Sequence, residues 1–152
     1  MTPEKLLDQF STHLKQVITR SLAMAVSYGE TDVRPIYLFL ALLEESGSIG
    51  TEILSRHEIT DTEVSYTPKI TPNKKSSQDA TTIPELNEYA KRALEKAILL
   101  AYEHAHNYVG TEHLLYGLLD IEDSIIESAI QKCSVEVDTL FDEVQKNLSG
   151  LD

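Results

Sequence analysis

Apolar and polar positions follow a helical period through most of the chain. Apolar side chains recur at spacings of three and four residues from Leu14 to Val26, and again from Ala90 to Tyr102. This spacing places them on one face of an α-helix. Further helices are predicted at 48–57, 123–133 and Val135 to Leu148. No stretch alternates strongly enough to predict a sheet, so we expect an all-α domain of about seven or eight helices.

The same apolar pattern occurs twice in the sequence. Leu22 to Leu54 lies over Ile98 to Ile130 at an offset of about 76 residues, and the paired leucines Leu42-Leu43 fall on Leu118-Leu119. Such self-similarity indicates a structural repeat. A half of about 50–60 residues has too little interior to be very stable alone. We therefore predict pseudo-twofold packing, in which each half buries its apolar stripe against the other.

A segment of different composition separates the two halves. Residues 60–84 contain three prolines, six threonines and few large apolar side chains, a composition typical of a flexible linker. We assign repeat one to about 10–59, the linker to 60–84 and repeat two to about 85–148, within a single domain spanning 1–152. Residues 1–9 read as a short lead-in, with Thr2-Pro3-Glu4 suited to a helix start.

Composition excludes several classes of protein. The 152 residues are 41% hydrophobic, but apolar runs are far shorter than the roughly 20 residues of a membrane span. The single cysteine, Cys133, excludes an internal disulfide and fits a reducing cytoplasm. The net charge is −12, and residues 85–152 alone carry 14 acidic and 5 basic side chains, so nucleic acid is not expected as a partner. No glycine-rich phosphate loop occurs, and we expect no cofactor.

The segment Tyr108-Val109-Gly110-Thr111-Glu112-His113-Leu114-Leu115-Tyr116-Gly117-Leu118-Leu119 resembles the second repeat of the Clp ATPase N-terminal domain, the double Clp repeat of ClpA- and ClpC-type unfoldases. Val33 to Leu43 resembles the same motif in weaker form, and the likeness covers roughly residues 10–148. The resemblance implies two pseudo-symmetric four-helix repeats packed together. It also implies a non-catalytic module on the rim of a hexameric AAA+ unfoldase, which receives substrates or adaptor proteins for a protease.

Two arrangements fit this resemblance. In one, the chain is the N-terminal domain of a larger unfoldase, with the ATPase rings in cis. In the other, it is a stand-alone double-repeat protein that acts on a Clp complex in trans as an accessory or regulatory subunit. The Ser149-Gly150 end fits the start of an interdomain linker.

Gly110-Thr111-Glu112 has two interpretations. In the first, Gly110 permits the turn, Thr111 caps the first amides of a helix, and Glu112 lies near the positive end of its dipole. In the second, the free amides and a nearby cation hold a phosphate while Glu112 binds a guanidinium, so that the site accepts phosphoarginine. ClpC-type N-domains are such receptors, and the resemblance places their carboxylate on Glu112, their basic residue on Lys91, and a hydroxyl-bearing position on Asn87.

The residues of this chain match the family's site only in part. Asn87 has an amide where the family has a threonine. In the first repeat, Ser11 and Lys15 are the equivalents of Asn87 and Lys91, but Ile36 replaces the carboxylate and Arg34-Pro35 replaces Gly-Thr. Proline removes a backbone donor. We therefore expect one phosphoarginine site at most, in the second repeat.

Other residues capable of chemistry have plainer interpretations. His104, His106 and His113 do not form the H-E-x-x-H metal motif, and positions two apart on one helix point to nearly opposite faces. We expect no metal site, a packed His113, and a small, partly buried Cys133. A small helical hydrolase that uses one of these histidines is a further alternative. Tyr37, Phe39, Leu115 and Tyr116 are expected to be chiefly core, with some of them edging a groove.

Overall fold

The computed structural model describes residues 8–64, 66 and 84–149. These residues form seven helices and one pair of two-residue strands. In chain order the elements are α1 (Thr12–Ser27), β1 (Asp32–Val33), α2 (Pro35–Leu43), α3 (Ile49–Arg56), β2 (Glu85–Leu86), α4 (Glu88–Glu103), α5 (Thr111–Asp120), α6 (Ser124–Gln131) and α7 (Val137–Ser149). The predicted all-α architecture is confirmed. Within the described residues, the first repeat contributes three helices and the second contributes four.

Polar side chains set the helix starts. Ser11 Oγ accepts a hydrogen bond from the Leu14 amide at 3.0 Å, and its counterpart Asn87 Oδ1 accepts one from the Ala90 amide at 2.8 Å. Asp123 Oδ1 accepts from two amides at the start of α6. Each bond satisfies an amide that has no partner inside its own helix. The turn after the first helix of each repeat is also alike, since Gly29 and Ala105 both have left-handed backbone, with φ of 72° and 57°.

The two repeats exchange the chain segments that lead into them. Val33 of the first repeat pairs in parallel with Leu86, which leads into the second repeat. Phe10, which leads into the first repeat, pairs in parallel with Val109 of the second. The adjoining hydrogen bonds match, because Asn87 N–H donates to Val33 O at 2.8 Å and Ser11 N–H donates to Val109 O at 2.9 Å. The predicted pseudo-twofold packing thus includes short parallel pairings, which a search for alternating residues misses because two residues show no period.

Helix α5 lies at the centre of the molecule. It packs against all six other described helices, and Leu114, Leu115 and Leu118 are completely buried. Two glycines permit close approach: a Cβ on Gly117 would lie 2.1 Å from the Ala93 carbonyl oxygen, and a Cβ on Gly50 would lie 2.9 Å from the Thr111 carbonyl oxygen. Contacts from both repeats therefore converge on one helix.

Most of the residues that were expected to edge a groove lie inside this core. Tyr37, Phe39 and Leu115 are completely buried, so none of them edges a groove. Tyr116 is half-buried and stacks on Phe141, with 4.9 Å between ring centroids. Among the described residues, no helix combines the length and apolar character needed to cross a bilayer.

The beginning of the 60–84 segment packs on the first repeat. Val64 is 7% exposed, and the ring of Tyr66 meets that of Tyr37 edge-on at 6.3 Å. Pro84, at the other end of the segment, is buried. Residue 65, residues 67–83 and most of the 1–9 lead-in lie outside the described residues.

Candidate functional site

The start of α5 holds a buried carboxylate against a tyrosine. Glu112 is 4% exposed, and its carboxylate accepts a hydrogen bond from the Tyr108 hydroxyl. Burial, the hydrogen bond and the charge of Glu112 together raise the pKa of Tyr108 to about 12. Gly110 leaves room for this contact, because a Cβ there would lie 2.6 Å from Glu112 Oε1 and 2.7 Å from the Tyr108 ring and would displace these side chains. The carboxylate is fixed at the helix start, but its hydrogen-bonding capacity is partly used.

Thr111 connects the two repeats. It is the first residue of α5, and its Oγ1 accepts a hydrogen bond from the Gly50 amide of α3 at 2.9 Å. The expectation that Thr111 caps its own helix is wrong, because Gly110 occupies the N-cap position and makes no side-chain bond there. The hydroxyl instead satisfies an amide of the other repeat.

His113 is packed and hydrogen-bonded, as predicted. It is completely buried, its Nδ1 accepts from the Gly110 amide at 2.9 Å, and its Nε2 lies 2.7 Å from Nδ1 of His106. Since Nδ1 is an acceptor, the proton of the neutral ring is on Nε2 and is donated to His106. Burial, with contributions from His106 and His104, lowers the pKa of His113 to about 4. The ring is neutral at physiological pH.

His104 and His106 lie side by side, contrary to the expectation that they point apart. Helix α4 ends at Glu103, and Ala105 has left-handed backbone, so the two histidines are not on one helix. Their rings stack at 5.6 Å between centroids. Over the part of the chain that the structure describes, no group of three or more His, Cys, Asp or Glu side chains is arranged to hold a metal ion.

The structure places the other candidate ligand residues on α4. Asn87 caps α4 and donates its backbone N–H to Val33, so it is bonded to the turn of the first repeat. Lys91 is exposed in the first turn of α4. The hydroxyl residue that is bonded to the Gly110 segment is Ser11, through Val109, and Lys15 lies exposed one turn further along α1. The fixed offset between repeats pairs Ser11 with Asn87, but it does not reveal that their lead-in segments are exchanged.

In the first repeat, the chain's own guanidinium occupies the corresponding turn. Arg34, the counterpart of Gly110, donates to Glu30 Oε2 at 3.1 Å, to the Tyr37 hydroxyl at 3.2 Å and to the Tyr66 hydroxyl at 2.9 Å. Burial opposes the charge, but the hydrogen bond to Tyr37 and the charges nearby hold the pKa of Arg34 above its ordinary value. Ile36, which replaces the carboxylate, is buried.

An apolar groove lies beside the site at the start of α5 on the second repeat, between α4 and residues 106–109, and shares Tyr108 with it. Its volume is about 490 Å³. Ile98, Leu99 and Tyr102 of α4 line it, together with Tyr108 and Gln9. Leu99 is 56% exposed and Tyr102 is 79% exposed. These side chains are available to a partner, whereas those of the core are not.

Cys133 is half-buried, as predicted. Burial, together with the nearby Glu63 charge, raises the pKa of its thiol. A raised pKa leaves little of the reactive thiolate at neutral pH.

Comparison with known proteins identifies the repeats. The family model of the Clp repeat (R) N-terminal domain matches residues 9–82 and 85–152. An uncharacterized protein of Mycobacterium bovis, Mb2686, is 27% identical over 139 residues, covering 87% of this chain and 52% of its own length. The chain therefore spans about half the length of the curated relatives it matches first.

Solved structures show the same fold. The N-terminal domain of the caseinolytic protease associated chaperone ClpD from Arabidopsis thaliana superposes with a TM-score of 0.73 at 18% identity, covering 98% of this chain and 100% of that one. The ClpV N-domain, in complex with VipB peptide, gives a TM-score of 0.66 at 13% identity, covering 99% and 94% of the two chains. Two matched repeats with this arrangement of helices show that the chain belongs to the Clp repeat N-terminal domain family.

Proposed function

We propose that the chain is the substrate- and adaptor-binding module of a Clp-type AAA+ unfoldase that feeds a protease. The exposed apolar groove on the second repeat carries this proposal. Large apolar side chains that are rimmed by polar residues mark surfaces where proteins bind. The ClpV N-domain has the same fold and was solved with a peptide bound, which supports a peptide-binding role here. We propose that the chain performs this role in the cytoplasm.

The module acts by tethering and performs no chemistry itself. Its most buried polar side chains are used to hold the fold: Thr111 bonds Gly50, and His113 bonds Gly110. Attachment to a hexameric ATPase, in cis or in trans, raises the concentration of a captured protein near the pore. Weak binding in each groove is then sufficient for delivery.

The test is degradation of an adaptor-dependent substrate by the ATPase and its protease, with this domain attached or added. The double variant Leu99→Ala with Tyr102→Ala is expected to lose most of the delivery. Val26→Ala is the matched control, because Val26 is the counterpart of Tyr102 in the first repeat and is 60% exposed. If the entire domain can be deleted without changing degradation of any such substrate, the proposal is wrong.

We also propose phosphoarginine as a ligand at the start of α5, with Glu112 and Thr111 as the binding residues there. The family resemblance adds Lys91 and Asn87, which lie at the start of α4, where Asn87 bonds Val33 of the first repeat. Helix N-termini favour phosphate, and a fixed carboxylate such as Glu112 suits a guanidinium. The lysine of α1, Lys15, follows Ser11 by one turn and adds positive charge on the side where Ser11 bonds Val109. Because the Tyr108 hydroxyl is bonded to Glu112, an incoming guanidinium has to displace it.

Calorimetric titration with free phosphoarginine tests this ligand, with arginine and inorganic phosphate as controls. We expect saturable binding to one site, which Glu112→Gln abolishes and Tyr108→Phe strengthens by removing the competing hydroxyl. Lys91→Ala and Asn87→Ala test the α4 residues, and Lys15→Ala tests the α1 alternative. Binding that is absent, or unchanged in Glu112→Gln, contradicts the proposal and leaves Glu112 as a helix-start residue.

A second candidate function is a stand-alone double-repeat protein that regulates a Clp complex in trans. The M. bovis relative favours it. The matched region makes up 52% of that protein, so the remainder of the protein is shorter than the matched region itself. Adding the purified chain to a separately purified Clp ATPase tests it. Altered degradation by the separate chain supports the trans role, and no change at saturating concentration contradicts it.

A further inference from the structure

We propose that the groove of the second repeat selects protein segments in which a large apolar or aromatic side chain is followed closely by lysine or arginine. The inference rests on the proposed protein-docking function and specifies the class of segment that docks. The groove supplies an apolar wall and one carboxylate, and the two together define that class.

The apolar part of the groove would hold the large apolar or aromatic side chain of the docked segment, which we call the anchor. Ile98, Leu99 and Tyr102 are spaced along one face of α4, and the last two expose more than half of their surface. Covering them with an apolar side chain removes that surface from water, which stabilises the complex in proportion to the apolar area buried. An aromatic ring also has two rings to pack on, those of Tyr102 and Tyr108.

The charges at the groove favour a lysine or arginine next to the anchor of the docked segment. Glu95 is the charged side chain that lines the groove, together with the titratable His106. No lysine or arginine lines it within the described residues. Two of the three bases of α4 are directed elsewhere, since Lys96 pairs with Asp120 at 2.8 Å and Arg92 reaches Glu88 at 4.0 Å. The third, Lys91, lies exposed one turn before Glu95 and does not line the groove. Residues 85–152 carry 14 acids against 5 bases, so the wider field also attracts a cation.

The first repeat does not reproduce this surface. The counterparts of Leu99, Tyr102 and Glu95 are Ala23, Val26 and Thr19. The exposed face of α1 therefore has smaller apolar side chains and no carboxylate at the position of Glu95. Since the backbones of the two repeats are alike, the difference lies in the side chains, and we expect a single docking groove.

Fluorescence polarisation with three labelled eight-residue peptides tests the selectivity. One contains a leucine-phenylalanine anchor followed by two arginines, the second replaces the arginines with glutamates, and the third keeps the arginines and replaces the anchor with serines. We expect the anchored basic peptide to bind about twofold to fivefold more tightly than the anchored acidic one at low salt, a difference typical of an exposed ion pair, and to lose part of that advantage at high salt.

Matched variants connect the selectivity to the groove. Tyr102→Ala is expected to weaken both anchored peptides, and Glu95→Lys to remove the preference for the basic one. Glu103→Lys changes the net charge equally on the same helix, and Glu103 does not line the groove, so it is expected to keep the preference. Each variant substitutes an exposed residue, and its NMR spectrum verifies the fold.

The outcomes separate this inference from the proposed function. Equal binding of the two anchored peptides, with both lost in Tyr102→Ala, overturns the charge selectivity and leaves the docking groove intact. A preference that Glu95→Lys and Glu103→Lys reduce equally overturns the role of Glu95. If none of the peptides binds, the inference is wrong; if Leu99→Ala with Tyr102→Ala also leaves degradation unchanged, the docking function of the groove is wrong as well.

Discussion

Thr111 Oγ1 accepts a hydrogen bond from the Gly50 amide at 2.9 Å, and the two residues come from different repeats. Both are buried, and a Cβ on Gly50 would lie 3.0 Å from the Thr111 Cβ. The starts of α3 and α5 are thus held at a separation that only glycine permits. This contact joins the two helical halves, each of which is small by itself.

Thr111→Val is expected to destabilise the domain by about 1–3 kcal/mol, because it leaves the buried Gly50 amide without an acceptor. Urea unfolding measures the loss. Thr19→Val is the control, since Thr19 is exposed on a helix and a surface substitution of this kind changes stability by about 0.5 kcal/mol or less. Equal stability of the two variants would show that the contact between repeats contributes little.

Gly117→Ala is expected to be destabilising, although alanine ordinarily stabilises a helix relative to glycine. The added Cβ would lie 2.1 Å from the Ala93 carbonyl oxygen, so α4 and α5 have to separate. Overpacking of this kind costs about 1–3 kcal/mol or more. Ser128→Ala, at an exposed position of α6, reports the gain from placing alanine in a helix without a close contact, and a thermal melt compares the two variants. A higher Tm for Gly117→Ala contradicts the close packing.

Much of the fold was predictable from the sequence because helical periodicity is a local property. The helix at 123–133 follows from the spacing of its apolar residues, and α6 begins at Ser124 after the Asp123 cap. The exchange of lead-in segments was not predictable, because Phe10 and Val109 are brought together by packing and not by a local signal. For the same reason, our interpretation of the family resemblance groups Asn87 with Glu112 in the candidate site, whereas Ser11 is the residue bonded to that turn.

Interpretation of single side chains depended on neighbours that are distant in sequence. Phe39 lies in an apolar stretch, but only the structure shows that it is core and not groove edge, since its side chain is completely buried. The exposure of Tyr102 is the converse case. Its spacing continues the apolar stripe of α4, yet the side chain is 79% exposed, whereas the preceding Leu100 and Ala101 are buried. Tyr102 therefore lies on the side of the helix that faces away from the core.

Glu45→Gln is expected to cost about 1–3 kcal/mol at neutral pH, since it weakens two charge-assisted hydrogen bonds. The Glu45 carboxylate is 5% exposed and bonds Nδ1 of His13 at 2.6 Å and Nη1 of Arg20 at 2.7 Å. Burial opposes its charge, but these two partners prevail and lower the pKa of Glu45. A lowered carboxyl pKa stabilises the fold above the unfolded pKa, and this stability is lost as pH falls through the folded pKa.

The difference between wild type and Glu45→Gln in urea unfolding should therefore shrink in the acid range below the ordinary pKa of glutamate. Glu44→Gln is the matched control, because Glu44 is exposed and lies 3.5 Å from Nε of the same arginine. Its effect should be small at every pH. A difference for Glu45→Gln that stays constant down to strongly acidic pH contradicts the role of the ion pairs.

The His113 network predicts a loss of stability on mild acidification. The pKa of His113 is lowered to about 4 in the folded state, so the unfolded chain takes up a proton near pH 6.5 that the folded chain does not. Stability is then fully present above pH 6.5 and declines as the pH falls towards 4, by up to about 3 kcal/mol from this group. His113→Leu is expected to be less stable at pH 7, because the Gly110 amide loses its acceptor, but to lose less stability between pH 7 and pH 5. His104→Gln, at an exposed position, should keep most of the wild-type slope, and a slope that His113→Leu leaves unchanged would show that another group causes it.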